Sequence, residues 1–157
     1  MPRKKEILIF NFDELSKQAK EKARDWYREG ALDYEWWDIV YEDAQNIGLK
    51  ITGFDLGRSS EVDGKFTKSC KTVAKLIVEN HGPDTETYKD AKAFLKDNKK
   101  TEEVSEETEN EFLKTLLEDY RLILEKEMEY LTSDEAIDES IQANEYEFNE
   151  DGSRSRA

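Results

Sequence analysis

A single histidine, His81, and a single cysteine, Cys70, bound the chemistry open to this chain. A nucleophilic triad or a catalytic zinc site ordinarily needs histidine as base or ligand, so most such mechanisms fall away with only one imidazole. His81 stands just before Gly82-Pro83, at the expected end of a helix, where its interaction with the helix dipole is reason enough for its presence. Lys68 and Lys71 near Cys70 would lower the pKa of an exposed thiol, whereas a lone cysteine near a helix start is ordinarily a small half-buried residue. Gly53-Phe54-Asp55-Leu56-Gly57, followed by Arg58, matches neither a phosphate loop nor a dinucleotide fingerprint. An acid/base pair or an Mg²⁺ site would have to be drawn from carboxylates such as Asp55, Asp63, Asp134 and Asp138, and a carboxylate- and metal-dependent enzyme is one alternative. The expectation is a chain with no catalytic residue, no cofactor and no bound metal.

The elements that would position these residues follow from hydrophobic spacing. Lys5 to Phe12 reads as a central strand with both faces covered, and a helix from Asp13 or Ser16 to Glu29 stops at Gly30. A second helix runs from Tyr34 to Asn46 and is capped by Gly48. Strands over Leu49 to Leu56 and Glu61 to Thr67 flank the turn residues 57–60 and form a hairpin. Helices follow over Ser69 to Asn80 and Asp84 to Lys96, separated by Pro83, which cannot continue the first. Glu102 to Leu131 carries Leu113, Leu116, Leu117, Tyr120, Ile123 and Leu124 at spacings of three and four, the stripe of one long helix of roughly 45 Å. Thr132 and Glu135 have capping-box spacing and open a helix through Ala143, and Glu145 to Asn149 reads as a last strand. The fold class is therefore α+β, a small, mainly antiparallel sheet of about four strands with helices packed against it. Residues 1–150 form one domain and 151–157 a mobile tail.

The charge is unevenly placed. Residues 1–50 carry 9 basic and 11 acidic side chains, and residues 51–100 carry 10 and 8. Residues 101–157 carry 5 and 19, so the whole net charge of −14 sits in the last third. A field of that sign opposes contact with nucleic-acid phosphates or anionic lipid and favours a basic protein surface. Glu111, Lys114, Glu118, Arg121 and Glu125 form an intrahelical ladder that needs no partner. The surplus is Glu102, Glu103, Glu106, Glu107 and Glu109 at the start of the long helix, with Asp134, Glu135, Asp138, Glu139, Glu145 and Glu147 beyond it. Acid at a helix start is also favourable with the macrodipole, so the surplus reads either as a partner surface or as a solvated one. Trp36 and Trp37 are adjacent, and on a helix their side chains would point about 100° apart, which makes Trp36 the candidate exposed anchor. The basic amino terminus precedes an apolar run, Ile7 to Phe10, that is too short for a signal segment or membrane span, so a cytoplasmic location is expected.

Phe12-Asp13-Glu14-Leu15-Ser16, Tyr34-Glu35-Trp36-Trp37-Asp38, the stretch Leu49 to Arg58, Tyr130-Leu131-Thr132-Ser133-Asp134-Glu135 and Asn144-Glu145-Tyr146-Glu147-Phe148 carry a resemblance across nearly the full length. In them the chain resembles small acidic proteins widespread in phage and prophage genomes, some of which are called antitoxin-like. The resemblance implies a mobile-element origin and action inside a bacterial host, where small acidic proteins without active sites often inhibit host defence, among them anti-CRISPR proteins and DNA mimics. The leading expectation is a binding protein that blocks a host defence or nucleic-acid-binding protein through its acidic last third. An antitoxin-like neutraliser of a toxin is the alternative.

Overall fold

The computed structural model describes residues 7–58 and 60–155. Among them the fold is α+β and 57% helical, with six helices and two antiparallel sheets of two strands each. The single sheet of about four strands is thereby corrected. Strand β1 (Phe10–Asn11) pairs with β4 (Glu147–Phe148), and β2 (Leu49–Asp55) pairs with β3 (Glu61–Phe66). The cause lies at Asn11, whose backbone N–H donates to Glu14 Oε1 at 2.8 Å as Phe12–Glu14 winds into a 3-10 turn. That capping interaction ends the extended run after two paired residues. Ile7, Leu8 and Ile9 are exposed and outside any strand, so the expected central strand is absent there, and Lys5 and Glu6 lie outside the described residues.

The chain divides into two compact units, residues 1–35 with 127–157, and residues 36–126. In the first, α1 (Lys17–Gly30) opens at Ser16, whose hydroxyl accepts from Ala19 N at 3.2 Å. Helix α6 (Asp134–Ala143) opens one residue later than the sequence suggests: Ser133 Oγ accepts from Ala136 N at 3.3 Å, while Thr132 Oγ1 donates back to Met128 O at 2.9 Å. The two helices bury Ala19, Ala23, Ile137 and Ile141 with Phe12, Leu15 and Phe148. Small residues on α1 face the larger ones of α6, and Trp26 closes one side with its ring edge-on to Tyr146 at 5.2 Å and Phe148 at 5.9 Å.

The residues after 150, expected as a mobile tail, fold back on this unit as far as the description reaches. Ser155 N donates to Glu147 O at 3.0 Å, and the Arg154 guanidinium lies 4.8 Å from the centre of the Tyr146 ring. Gly152 makes the return possible: its φ is +92°, and a Cβ there would collide with the Ala19 carbonyl oxygen.

In the second unit, α2 (Asp38–Asn46) leads through Gly48, at φ +85°, into the β2–β3 hairpin. Helices α3 (Cys70–Asn80) and α4 (Glu86–Asp97) are capped by Ser69 and Thr85. Helix α5 (Glu106–Leu131) begins four residues later than the hydrophobic stripe predicts, because Ser105 Oγ accepts from Thr108 N at 3.2 Å and fixes the start there. Its 26 residues make it about 39 Å long, and it buries Phe112, Leu116, Tyr120 and Leu124, one turn apart. Phe112 stacks on Phe94 of α4 with centroids 4.1 Å apart.

Gly152→Ala is expected to cost about 2 kcal/mol of stability, since neither the positive φ nor the carbonyl contact admits a methyl group. Urea unfolding of the two proteins, followed by Trp fluorescence, checks it; an unchanged midpoint would show that the return of the chain onto α1 contributes nothing.

Candidate binding site

Position 119 interrupts the apolar stripe of α5. Three residues beyond Leu116 and four before Ile123, it belongs to the buried flank, yet it is an aspartate that is only 9% exposed. Asp119 Oδ2 has no hydrogen-bond partner. Burial first, and then the Asp90 carboxylate with Glu86 and Glu118 behind it, push the Asp119 pKa up to about 8. The carboxyl is therefore largely protonated at neutral pH.

A second carboxylate has the opposite environment. Asp43 Oδ2 of α2 accepts from the Tyr120 hydroxyl at 2.8 Å and lies 3.1 Å from His81 Nε2. Those two neighbours, His81 before Tyr120, hold its pKa below the usual carboxylate range. His81 sits at the C-terminal cap of α3, and its Nδ1 is 2.6 Å from Thr87 Oγ1. The geometry at Nε2 is an ion contact and falls outside a well-aligned hydrogen bond. With Nδ1 on Thr87 and Nε2 facing Asp43, the hydroxyl, imidazole and carboxylate tie α2, α3 and α4 together. Asp43, His81, Thr87 and Asp119, with Leu122 and Ile123, line a cavity of about 510 Å³.

The acidic residues singled out by the sequence fall into two groups. In the second unit, Glu102, Glu103, Glu106 and Glu107 are exposed and form no ion pair with any described lysine or arginine; Glu109 is half-buried. In the first unit, Asp138 takes both Nε and Nη2 of Arg24, at 2.7 and 2.8 Å, and Asp134 pairs with Arg28. These two carboxylates are spent within the protein, which corrects their place in a surplus. Glu135, Glu139, Glu145 and Glu147 stay exposed, with no described ion pair. The predicted ladder on α5 is present in part, as Arg121 bonds Glu118 and, at 2.7 Å, Glu125.

Trp36 is not an exposed anchor. It is 8% exposed, because the tryptophan pair precedes α2 and does not lie on it: Trp37 is the helix cap, and Trp36 meets Trp37 at 5.8 Å and Phe54 at 5.7 Å edge-on. The two rings are thus free of the 100° divergence a helix would impose. Cys70 is buried; burial, and then Glu109, push its thiol pKa up, against the lowering that Lys68 and Lys71 suggested. Asp55 accepts from Gly57 N at 2.7 Å within the hairpin turn. Among the described residues no group of three or more His, Cys, Asp or Glu is arranged to hold a metal ion.

No family model, curated protein or solved structure matches the chain. Its functional reading rests on its own residues. Two of these went unnoticed in the sequence: Asp119, whose signal was a charge in phase with an apolar stripe, and a lysine-rimmed groove. Lys71, Lys75, Lys92, Lys96 and Lys99 border a cavity of about 590 Å³ floored by Val78 and Leu95. A spacing of four on α3 (Lys71, Lys75) and on α4 (Lys92, Lys96), with Lys99 just beyond α4, brings the lysines to one groove, so the acidic character of the second unit does not extend over that face.

Two outcomes test this assignment. Trp36→Ala should cost roughly 3–5 kcal/mol of stability, as truncation of a core aromatic does; a shift below about 1 kcal/mol would restore it to the surface. The folded chain keeps on Asp119 a proton that the unfolded chain gives up near pH 4, so this site costs stability increasingly as pH rises from there to the folded value of about 8. Asp119→Asn should therefore melt above the unsubstituted protein by a margin that widens between about pH 5 and pH 9, on the order of 2 kcal/mol or several degrees. Circular-dichroism melts across that range check it, and a constant margin would mean that Asp119 carries no such penalty.

Proposed function

We propose that this chain is a non-enzymatic binding protein that engages a basic surface of another protein through the carboxylates leading into α5. The supporting observation is that Glu102, Glu103, Glu106 and Glu107 stand exposed without a described ion pair, whereas Asp134 and Asp138 are consumed by Arg24 and Arg28. Unpaired exposed charge costs little alone, yet it steers an oppositely charged partner and sets the register of docking. The macrodipole accounts for acid in the first turn of the helix, at Glu106 and Glu107, but gives no reason for Glu102 and Glu103, which precede the helix. Because surfaces that bind nucleic acid are basic, a nucleic-acid-binding protein is the partner class this charge suits. Together with the resemblance to small acidic phage proteins, this favours an inhibitor of a host defence or nucleic-acid-binding protein, of the anti-CRISPR or DNA-mimic kind, acting in a bacterial cytoplasm.

The test is capture from bacterial lysate with the immobilised protein, alongside a variant carrying Glu102→Lys, Glu103→Lys, Glu106→Lys and Glu107→Lys. The intact protein should retain a nucleic-acid-binding protein, released as salt rises from about 0.1 to 0.5 M, and the variant should retain none. Retention of a toxin would replace the inhibitor reading with the antitoxin one. The same proteins on both surfaces, or none on either, would remove the acidic segment as the contact.

A further inference from the structure

The cavity beside Asp119 is separate from the carboxylates that lead into α5. A buried carboxyl with one oxygen unpartnered is costly, and an apolar residue continuing the α5 stripe would avoid that cost. The groups around it are mostly of one sign. Asp90 and Glu86 face it from α4 and Glu118 from α5; across the cavity stand Asp43 of α2 and, at the end of α3, His81, which is already engaged with Asp43. Asp84 adds to the rim, where Lys126 is the one described lysine or arginine. Leu122 and Ile123, each 39% exposed, provide an apolar shelf next to these acids. No group of three or more His, Cys, Asp or Glu converges on a metal among the described residues, so the occupant that fits is an organic cation with an apolar stem.

We propose that this cavity receives a single basic side chain, lysine or arginine, of the partner protein, with its charged head between Asp119 and Asp43 and its alkyl stem on Leu122 and Ile123. This deepens the preceding reading, since it rests on the partner being basic. Rotation about χ2, which is broad for a carboxyl, presents the unpartnered Asp119 oxygen to the head group. As the cation enters, the Asp119 proton leaves to solvent and the carboxylate becomes the counter-ion. A cavity of about 510 Å³ has the size of a small-molecule site, so model compounds can enter without the rest of the partner.

The experiment is isothermal titration of the whole chain at pH 7 with Nα-acetyl-arginine methylamide and Nα-acetyl-lysine methylamide. Nα-acetyl-citrulline methylamide serves as the neutral control. At least one cation should saturate near about 1 mM, with the control weaker by about tenfold or more. Titrations in phosphate and in Tris should differ by the heat of nearly one released proton. Methylguanidine, which keeps the head and lacks the stem, should bind about tenfold more weakly than the arginine compound. Asp119→Asn should lose at least tenfold in affinity together with the proton release, with its far-UV spectrum unchanged; Ile123→Ser, at an exposed position, should weaken the long cations and leave methylguanidine unaffected. Failure of both cations to saturate by about 20 mM overturns the proposal, as does equal binding by the citrulline compound, binding without proton release, or full affinity in Asp119→Asn. None of these readouts involves Glu102 to Glu107. Loss of the cavity with salt-sensitive capture intact would refute this inference alone, and the converse would refute the acidic docking segment alone.

Discussion

Tyr120 is the largest fully buried side chain of α5, and its hydroxyl has one described partner, Asp43 Oδ2 at 2.8 Å. An aromatic ring contributes more buried area than any leucine, but its oxygen must be satisfied or the burial costs about 1–3 kcal/mol. Meeting that requirement brings a carboxylate to the edge of the core. The carboxylate in turn draws His81 from the end of α3, and His81 holds Thr87 in the first turn of α4. One buried hydroxyl thus sets the relative placement of three helices around α5 and leaves the adjoining space open between them.

The first unit uses charge in another way. Arg24 and Arg28 lie four residues apart on α1, as do Asp134 and Asp138 on α6, so the same helical period that places Ala19, Ala23, Ile137 and Ile141 in the core sets two cation–carboxylate contacts beside it. Arg28 also donates to Thr132 O at 3.1 Å, ahead of the cap of α6. The Arg24 and Asp138 side chains are 19% and 27% exposed, which makes their bidentate contact the strongest of the group. Acid in the last third of the chain therefore has two separate uses: at α6 it fixes helix pairing, and ahead of α5 it is left for solvent or a partner.

Helix existence was legible in the sequence because each helix has an apolar stripe; five caps, Ser16, Ser69, Thr85, Ser105 and Ser133, are hydroxyls with their bond in place, although at α6 the spacing of Thr132 and Glu135 pointed one residue too early. The hairpin was legible too, since two β-rich runs flank the turn residues and the pairing follows, with Leu49 opposite Phe66 and Asp55 opposite Glu61. Strand pairing at long range was not. Lys5 to Phe12 has the composition of a central strand, but the Asn11–Glu14 capping contact overrides propensity, and nothing local reveals that among its described residues only Phe10 and Asn11 find strand partners, 136 or more residues away. Trp36 failed for a related reason. A periodicity argument holds only inside the helix, and α2 begins at Asp38. The lysine groove escaped because net charge counted over segments averages it against the acids of the same stretch.

Asp43 and Asp119 show why abundance of carboxylates said so little about any one of them. Both stand at the edge of the same cavity, and burial acts on each in the direction of protonation. Asp43 overcomes it because a phenol donates to it and an imidazole faces it; Asp119 does not, because the groups that act on it, Asp90, Glu86 and Glu118, are all acids. One is consequently an anion that orders the scaffold, and the other an acid that is largely neutral at pH 7. Residue type and spacing were identical information for the two, and only the partners supplied by α2, α3 and α4 separate a structural carboxylate from one whose charge is still to be claimed.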